Sequence, residues 1–216
     1  MPRVVVLPRA PRGSVGPALP GVELRIAEPD ASGVGEVLAR GPNVMLGYCA
    51  GGGGAPEVDR EATGAVLRDG WLHTGDLGRL DGEGRLTIVG RRKDVVIDAS
   101  GRNVYPDEVE DLYRHPDLVE ELSAVGLPGA DGEKLALLVV PAYRGRDRAE
   151  VRALVEEHLR RVTASLPFHR RAKVRHLADE ALPRTATRKV RRALVIRELE
   201  RLEEAGLRGR RVREAA

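Results

Sequence analysis

The chain has 216 residues, 42% of them hydrophobic and 32% charged, enough for one large core or two small ones and unlike a wholly disordered polymer. Thirty-six Lys and Arg face 33 Asp and Glu, a formal charge of +3, too slight to demand a polyanionic partner. A single cysteine, Cys49, excludes an internal disulfide framework and any multi-thiolate zinc site, and it fits a reducing, cytoplasmic setting.

The opening MPRVVVLPRAPRG has an apolar run too short for a signal-peptide core or a membrane span, so no transmembrane segment is expected. Residues 13 to 90 read as short strands between Gly and Pro turns, among them VELRI at 22 to 26, GEVLAR at 35 to 40 and GRLTIVG at 84 to 90. This pattern predicts a small β-barrel or sandwich. The four consecutive glycines within CAGGGGAPEVD, 49 to 59, predict a surface loop with a connecting role only.

Beyond residue 93 strands and helices alternate. VVID at 95 to 98 and NVY at 103 to 105 flank a turn at Ser100 and Gly101. Pro106 opens a short helix with Asp107, Glu108 and Glu110 near its positive end and Val109, Leu112 and Tyr113 on one face. LSAVGL and KLALLVV are strands, and Val151, Leu154, Val155, His158, Leu159 and Val162 fall at helical spacing over 148 to 165. A last strand, KVRHLA at 173 to 178, precedes a charged helix from about 189 to 205 carrying Val190, Leu194, Ile196, Leu199 and Leu202. The fold class expected is α+β: a β-rich piece over 1–89, a hinge at 90–93, and a compact α+β domain over 94–216.

Three stretches carry candidate chemistry. In GWLHTGDLGRLDGEGRLTIVGRRKDVV, 70 to 96, Asp76 lies between glycines at what reads as a strand-to-strand turn, where an Asp ordinarily satisfies local amides. Arg91, Arg92 and Lys93 read on their own as an exposed basic cluster. Arg188, Lys189, Arg191 and Arg192 read equally as one solvated helix face or a nucleic-acid patch. SGRNVYPDEVE, 100 to 110, reads as a plain turn into a proline-started helix.

In order, WLHTGDLG, GRLTIVGRRKD, SGRNVYPDEVE and LPRTATRKV resemble the motif series of adenylate-forming enzymes. That set includes acyl-CoA synthetases, aryl-CoA ligases, luciferases and peptide-synthetase adenylation domains, which activate a carboxylate as an acyl-adenylate. RGPNVMLGY and GSVGPALPGVELRI extend the resemblance, which covers roughly residues 13 to 200. The spacing of DVVIDASGRNVYP looks most like long-chain and related bacterial acyl-CoA synthetases. The resemblance implies that Asp76 holds the ribose hydroxyls of ATP, that Arg91 approaches ribose and phosphate, and that Gly90 to Lys93 form the hinge between half-reactions. It implies that Lys189 contacts the carboxylate and α-phosphate during adenylation, and that Ser100 and Gly101 line the pantetheine path. Where many relatives have glycine before that lysine, this chain has Arg188.

The family's phosphate-gripping loop and acyl pocket lie upstream of everything matched. The expectation is therefore a partial ATP-dependent acyl-CoA synthetase, inactive alone. ATP, Mg²⁺, CoA and an acyl acid are the ligands of the complete enzyme; no ligand is expected tightly bound to this chain, and no protein metal site. An alternative is a half-enzyme completed by a separate amino-terminal partner chain, which would leave apolar surface exposed. A third, a nucleic-acid module using Arg208, Arg210, Arg211 and Arg213, is disfavoured by aromatic residues at 3% and by interleaved Glu198, Glu200, Glu203 and Glu204.

Overall fold

A computed structural model describes residues 14–50, 57–130 and 132–214, with side chains as far as residue 205. The amino-terminal apolar run, the four glycines and the side chains of the arginines at 208 to 213 lie outside what is described. The chain divides into two compact units, Met1–Lys93 and Asp94–Ala216.

In the first unit β1 (Gly16–Pro17), β2 (Glu23–Ala27), β3 (Gly35–Arg40), β4 (Tyr48–Cys49), β5 (Val58–Asp59), α1 (Arg60–Val66), β6 (Leu67–Arg68), β7 (Trp71–Leu80) and β8 (Arg85–Arg91) follow in order. Six of the strands make one antiparallel sheet, ordered β1-β8-β7-β3-β2 with β6 on β7, and β4 pairs with β5. It is a curled half-barrel sheet rather than a closed barrel. Val37, Leu38, Leu72, Leu86 and Val89 are buried in it. The ladder slips between Glu36 and Leu38 and again between Leu77 and Gly78; such irregularities bend a strand and re-aim its side chains.

A 3₁₀ turn, Arg92–Asp94, leads into the second unit. There β9 (Val96–Ile97), β10 (Asn103–Val104), α2 (Pro106–Tyr113), β11 (Val119–Gly129), β12 (Gly132–Pro141), α3 (Arg148–Ser165), β13 (Val174–Leu177) and α4 (Arg192–Glu214) follow. β11 pairs antiparallel with β12, and β12 pairs parallel with β13. The apolar run of β12 is continuous because both faces are covered. Leu135, Leu137 and Val139 meet Val109 and Tyr113 of α2 and Val151, Val155 and Leu159 of α3. Ala136, Leu138 and Val140 meet Val195 and Leu199 of α4. Each fully buried Leu or Val contributes on the order of 1.5–3 kcal/mol, so this sandwich dominates the unit's stability.

Three sequence expectations shift. Leu112 and Leu154 are largely exposed, because the covered stripes run 106–109–113 on α2 and 151–155–159 on α3, leaving both leucines at the edge. The last helix starts at Arg192 and not near 189; its central core residue is Val195, absent from the expected stripe. Upstream backbone is engaged instead in a bridge between Arg184 and Val190. Asp76 sits inside β7, opposite Arg91 of β8, and not in a turn.

Tyr113 is fully buried at the centre of this packing. Its hydroxyl accepts from the Ala172 N–H at 3.1 Å and pairs with the Thr163 hydroxyl at 3.0 Å. Tyr113→Phe strands the buried Ala172 donor, so urea unfolding of the variant is expected to show a loss of about 1–3 kcal/mol; a change below about 0.5 kcal/mol contradicts that accounting.

Candidate active site

The first unit gathers its polar residues where β7 and β8 run together. The Arg91 guanidinium lies 3.1 Å from the Asp76 carboxylate across the ladder, both partly exposed. Gly75, at φ +70, turns β7 in a conformation that side chains other than glycine resist. The adjoining Thr74 hydroxyl donates to the Val37 carbonyl at 2.7 Å and accepts from the Asp76 N–H at 3.1 Å. Behind them Glu36, only 12% exposed, accepts from the Gly75 N–H at 3.1 Å, meets His73 Nδ1 at 3.2 Å and pairs with Arg92 at 3.3 Å. Thr74, Gly75, Arg91, Arg92 and Lys93 line an open cleft of about 380 Å³. Its wall is cationic, and the Asp76 carboxylate stands beside it. That arrangement suits a polyanion with hydroxyl groups near one end.

Gly90 is buried in β8 opposite Leu77, while Lys93 lies in the 3₁₀ turn, so the expected hinge residues divide between a fixed strand and the turn after it.

In the second unit Lys189 stands on a tongue between β13 and α4. The Thr185 N–H donates to the Lys189 carbonyl at 2.8 Å, and the Lys189 N–H donates to the Thr185 hydroxyl at 3.1 Å. The Arg191 N–H donates to the Pro183 carbonyl at 2.8 Å. The side chain itself is exposed, and among the described residues it makes no ion pair. Arg188, just before it, is held at φ +62, a left-handed conformation that costs a non-glycine residue on the order of 1–2 kcal/mol.

Arg192 departs from the solvated basic face. It is 21% exposed and reaches Asp94 at 2.9 Å, Glu110 at 3.0 Å and also Asp107. Burial lowers its pKa, but the hydrogen bond to Asp107 and the charge of Glu110 outweigh that and hold it above the ordinary arginine value. Burial also pushes the Glu110 carboxyl above its ordinary 4.5, outweighing the Ala124 N–H and Arg192, which pull it down.

Ser100 and Gly101 cap the β9–β10 hairpin, on a different element from Lys189. Asp98 organises the turn: its carboxylate accepts from the Ser100 hydroxyl at 2.6 Å, the Ser100 N–H at 2.8 Å and the Arg102 N–H at 3.0 Å. The Ser100 hydroxyl, then the Arg102 amide, hold the Asp98 pKa below the ordinary carboxylate value. Gly101 is required by its φ of +75; a Cβ there would meet nothing within 4 Å.

Sequence reasoning passed over Glu36 and read Arg192 only as part of a solvated helix face or a nucleic-acid patch. An acid within the apolar strand GEVLAR was a readable signal for Glu36. Arg192 gave none, since its partners lie 82 to 98 positions away.

No family model matches the chain. It is 41% identical over 134 residues to a long-chain-fatty-acid–CoA ligase of Salmonella typhimurium, covering 59% of this chain and 22% of that one. It is 41% identical over 187 residues to an indoleacetate–CoA ligase of Aromatoleum aromaticum, covering 83% and 33%. The crystal structure of ATP-bound MatB from Rhodopseudomonas palustris superposes with a TM-score of 0.68 at 33% identity, over 86% of this chain and 35% of that one. Fold and sequence together place the chain among the adenylate-forming enzymes. More particularly, it is homologous to the carboxy-terminal part of acyl-CoA ligases. It spans between about a fifth and a third of the curated relatives' length.

The raised pKa of Glu110 sets a pH signature. A carboxyl whose folded pKa exceeds its unfolded value contributes stability below the unfolded value and loses it as pH rises through the folded one. The stability of the parent chain relative to Glu110→Gln is therefore expected to fall as pH rises above 4.5. Urea titrations from pH 4 upward check this; a parent chain that gains stability relative to Glu110→Gln as pH rises contradicts it.

Proposed function

We propose that this chain supplies the nucleotide-clamping strand pair and the mobile lysine-bearing domain of an ATP-dependent acyl-CoA synthetase. In the first half-reaction a carboxylate oxygen attacks the α-phosphorus of ATP, forming the acyl-adenylate as pyrophosphate leaves. In the second, the CoA thiolate attacks the acyl carbon and AMP leaves. Asp76 accepts hydrogen bonds from the ribose hydroxyls, and Arg91, its partner across the ladder at 3.1 Å, lies toward the phosphates. Lys189 delivers its ammonium to the carboxylate and α-phosphate, where negative charge is redistributed as the bond breaks. Gly90 to Lys93 form the pivot between half-reactions, and Ser100 and Gly101 then line the pantetheine path.

The observation that carries this reading is the exposed Lys189 side chain on a backbone fastened on both sides. A cation meant for a ligand must keep its water until the ligand arrives; one committed to an internal carboxylate would be unavailable. Mg²⁺ enters as companion of the ATP phosphates. We assign the acyl substrate to the long-chain fatty acids, supported by the Salmonella relative, and the setting to the cytoplasm, supported by the lone, exposed thiol of Cys49. Among the described residues no helix is long and apolar enough to cross a membrane.

The chain alone is expected to be inactive, and a second reading has it completed by a separate partner chain. Leu46, 96% exposed beside Tyr48 and Val58 on the β4–β5 pair, favours a missing neighbour on the first unit.

Joined to the amino-terminal portion of the Aromatoleum ligase, the chain is expected to exchange pyrophosphate into ATP. Lys189→Ala should lower that rate by about 10²–10³-fold, the usual effect of removing one preorganised charge donor, and Asp76→Ala should chiefly raise KM for ATP. The reading fails if Lys189→Ala leaves exchange intact in the joined enzyme, and the claim of inactivity fails if the 216-residue chain alone catalyses a Lys189-dependent exchange.

A further inference from the structure

The Arg184 guanidinium occupies an unusual place on the tongue. Nε and Nη2 donate to Glu121 Oε1 at 3.2 and 2.9 Å, while Nη1 donates to the Arg188 carbonyl at 2.7 Å. Glu121 stands where β11 breaks register, is mostly buried, and its second oxygen accepts from the Leu182 N–H at 2.7 Å. One carboxylate on the rigid sheet thus fixes one end of the tongue and aims a planar fork at the peptide oxygen just before Lys189.

That peptide needs holding. Arg188 sits at φ +62 with a full side chain, a conformation an L-residue keeps only when its surroundings over-determine it. The Arg188 N–H, donating to the Thr185 carbonyl at 2.9 Å, and the Thr185 N–H, donating to the Lys189 carbonyl, close the turn, and the charge-assisted bond from Arg184 to the Arg188 carbonyl adds the side-chain constraint. We propose that Arg184, oriented by Glu121, is a positioning residue for Lys189: it holds Arg188 in the left-handed state and so sets the direction in which the Lys189 side chain leaves the tongue. This rests on the role assigned to Lys189 above. Lysine at 184 is a poor substitute, because an ammonium lacks the fixed fork that spans a carboxylate and a carbonyl together.

The test is a double-mutant cycle between Arg184→Met and Arg188→Gly. In the 216-residue chain, the Thr185 and Arg188 amides, both hydrogen-bonded within the tongue, are expected to exchange with solvent about tenfold faster in Arg184→Met, equivalent to about 1.4 kcal/mol. The β12 amides should keep their rates. Glycine adopts the left-handed state freely, so adding Arg188→Gly should restore most of the protection, a larger effect than the same change in the parent chain. In the joined enzyme, Arg184→Met should lower kcat for pyrophosphate exchange about tenfold with KM for ATP unchanged, Arg184→Lys should fall between, and Arg188→Gly should rescue. A merely structural role would not produce rescue by glycine. Unchanged tongue exchange in Arg184→Met, or a kcat loss that Arg188→Gly leaves untouched, overturns the proposal while a large Lys189→Ala effect leaves the wider reading standing. If Lys189→Ala has no effect, both fall.

Discussion

A lysine that serves a ligand must satisfy opposed demands: its backbone must be fixed and its ammonium uncommitted. Lys189 meets both. Its own N–H and carbonyl are bound to Thr185, the tongue is tied at its start to Glu121 and flows at its end into α4, yet the side chain stays in water. Had the tongue continued as helix, Lys189 would have joined a face of basic residues with no defined direction. The left-handed Arg188 prevents that and turns the chain before α4 begins.

Arg192 holds the remainder of the second unit to this tongue. Its guanidinium joins Asp94, the unit's first residue, to Asp107 and Glu110 on α2 and to the start of α4. Removing such a buried partner leaves uncompensated charge, at a typical cost of about 3–5 kcal/mol. The entrance to the unit, the proline-started helix and the lysine-bearing tongue are consequently one body. A pivot that ends at Lys93 would therefore move Lys189 without deforming its surroundings. The first unit shows a parallel division: Glu36, mostly buried, orders Gly75 and Arg92 from behind, so that Asp76 and Arg91 are presented by fixed backbone and not by a loose loop.

Much of this was legible in the sequence for identifiable reasons. GEVLAR is a strand with the bounds its pattern gave, because alternation and flanking glycines leave little choice. The helix over 148–165 likewise follows from its period, and Asp147 caps it by accepting from the Glu150 N–H. Motif order pointed to Asp76, Arg91 and Lys189 as candidates. What local pattern left hidden depends on long-range geometry: the pairing that puts Asp76 inside a ladder, the edge positions of Leu112 and Leu154, and the salt bridges of Arg192 and Arg184, whose partners lie more than 60 residues away. The left-handed Arg188 was hidden for a different reason, since arginine gives no sign of that conformation and the bonds that close the tongue around it lie outside local pattern.

The central claim is that the Lys189 ammonium engages nucleotide and carboxylate, and it can be tested by chemical footprinting. The chain has four lysines, Lys93, Lys134, Lys173 and Lys189, so reductive methylation followed by peptide mapping reads each separately. In the joined enzyme, ATP with an unreactive analogue of the acyl acid should slow modification of Lys189 strongly while Lys134 and Lys173 keep their rates. Equal labelling of Lys189 with and without the ligands would contradict the account.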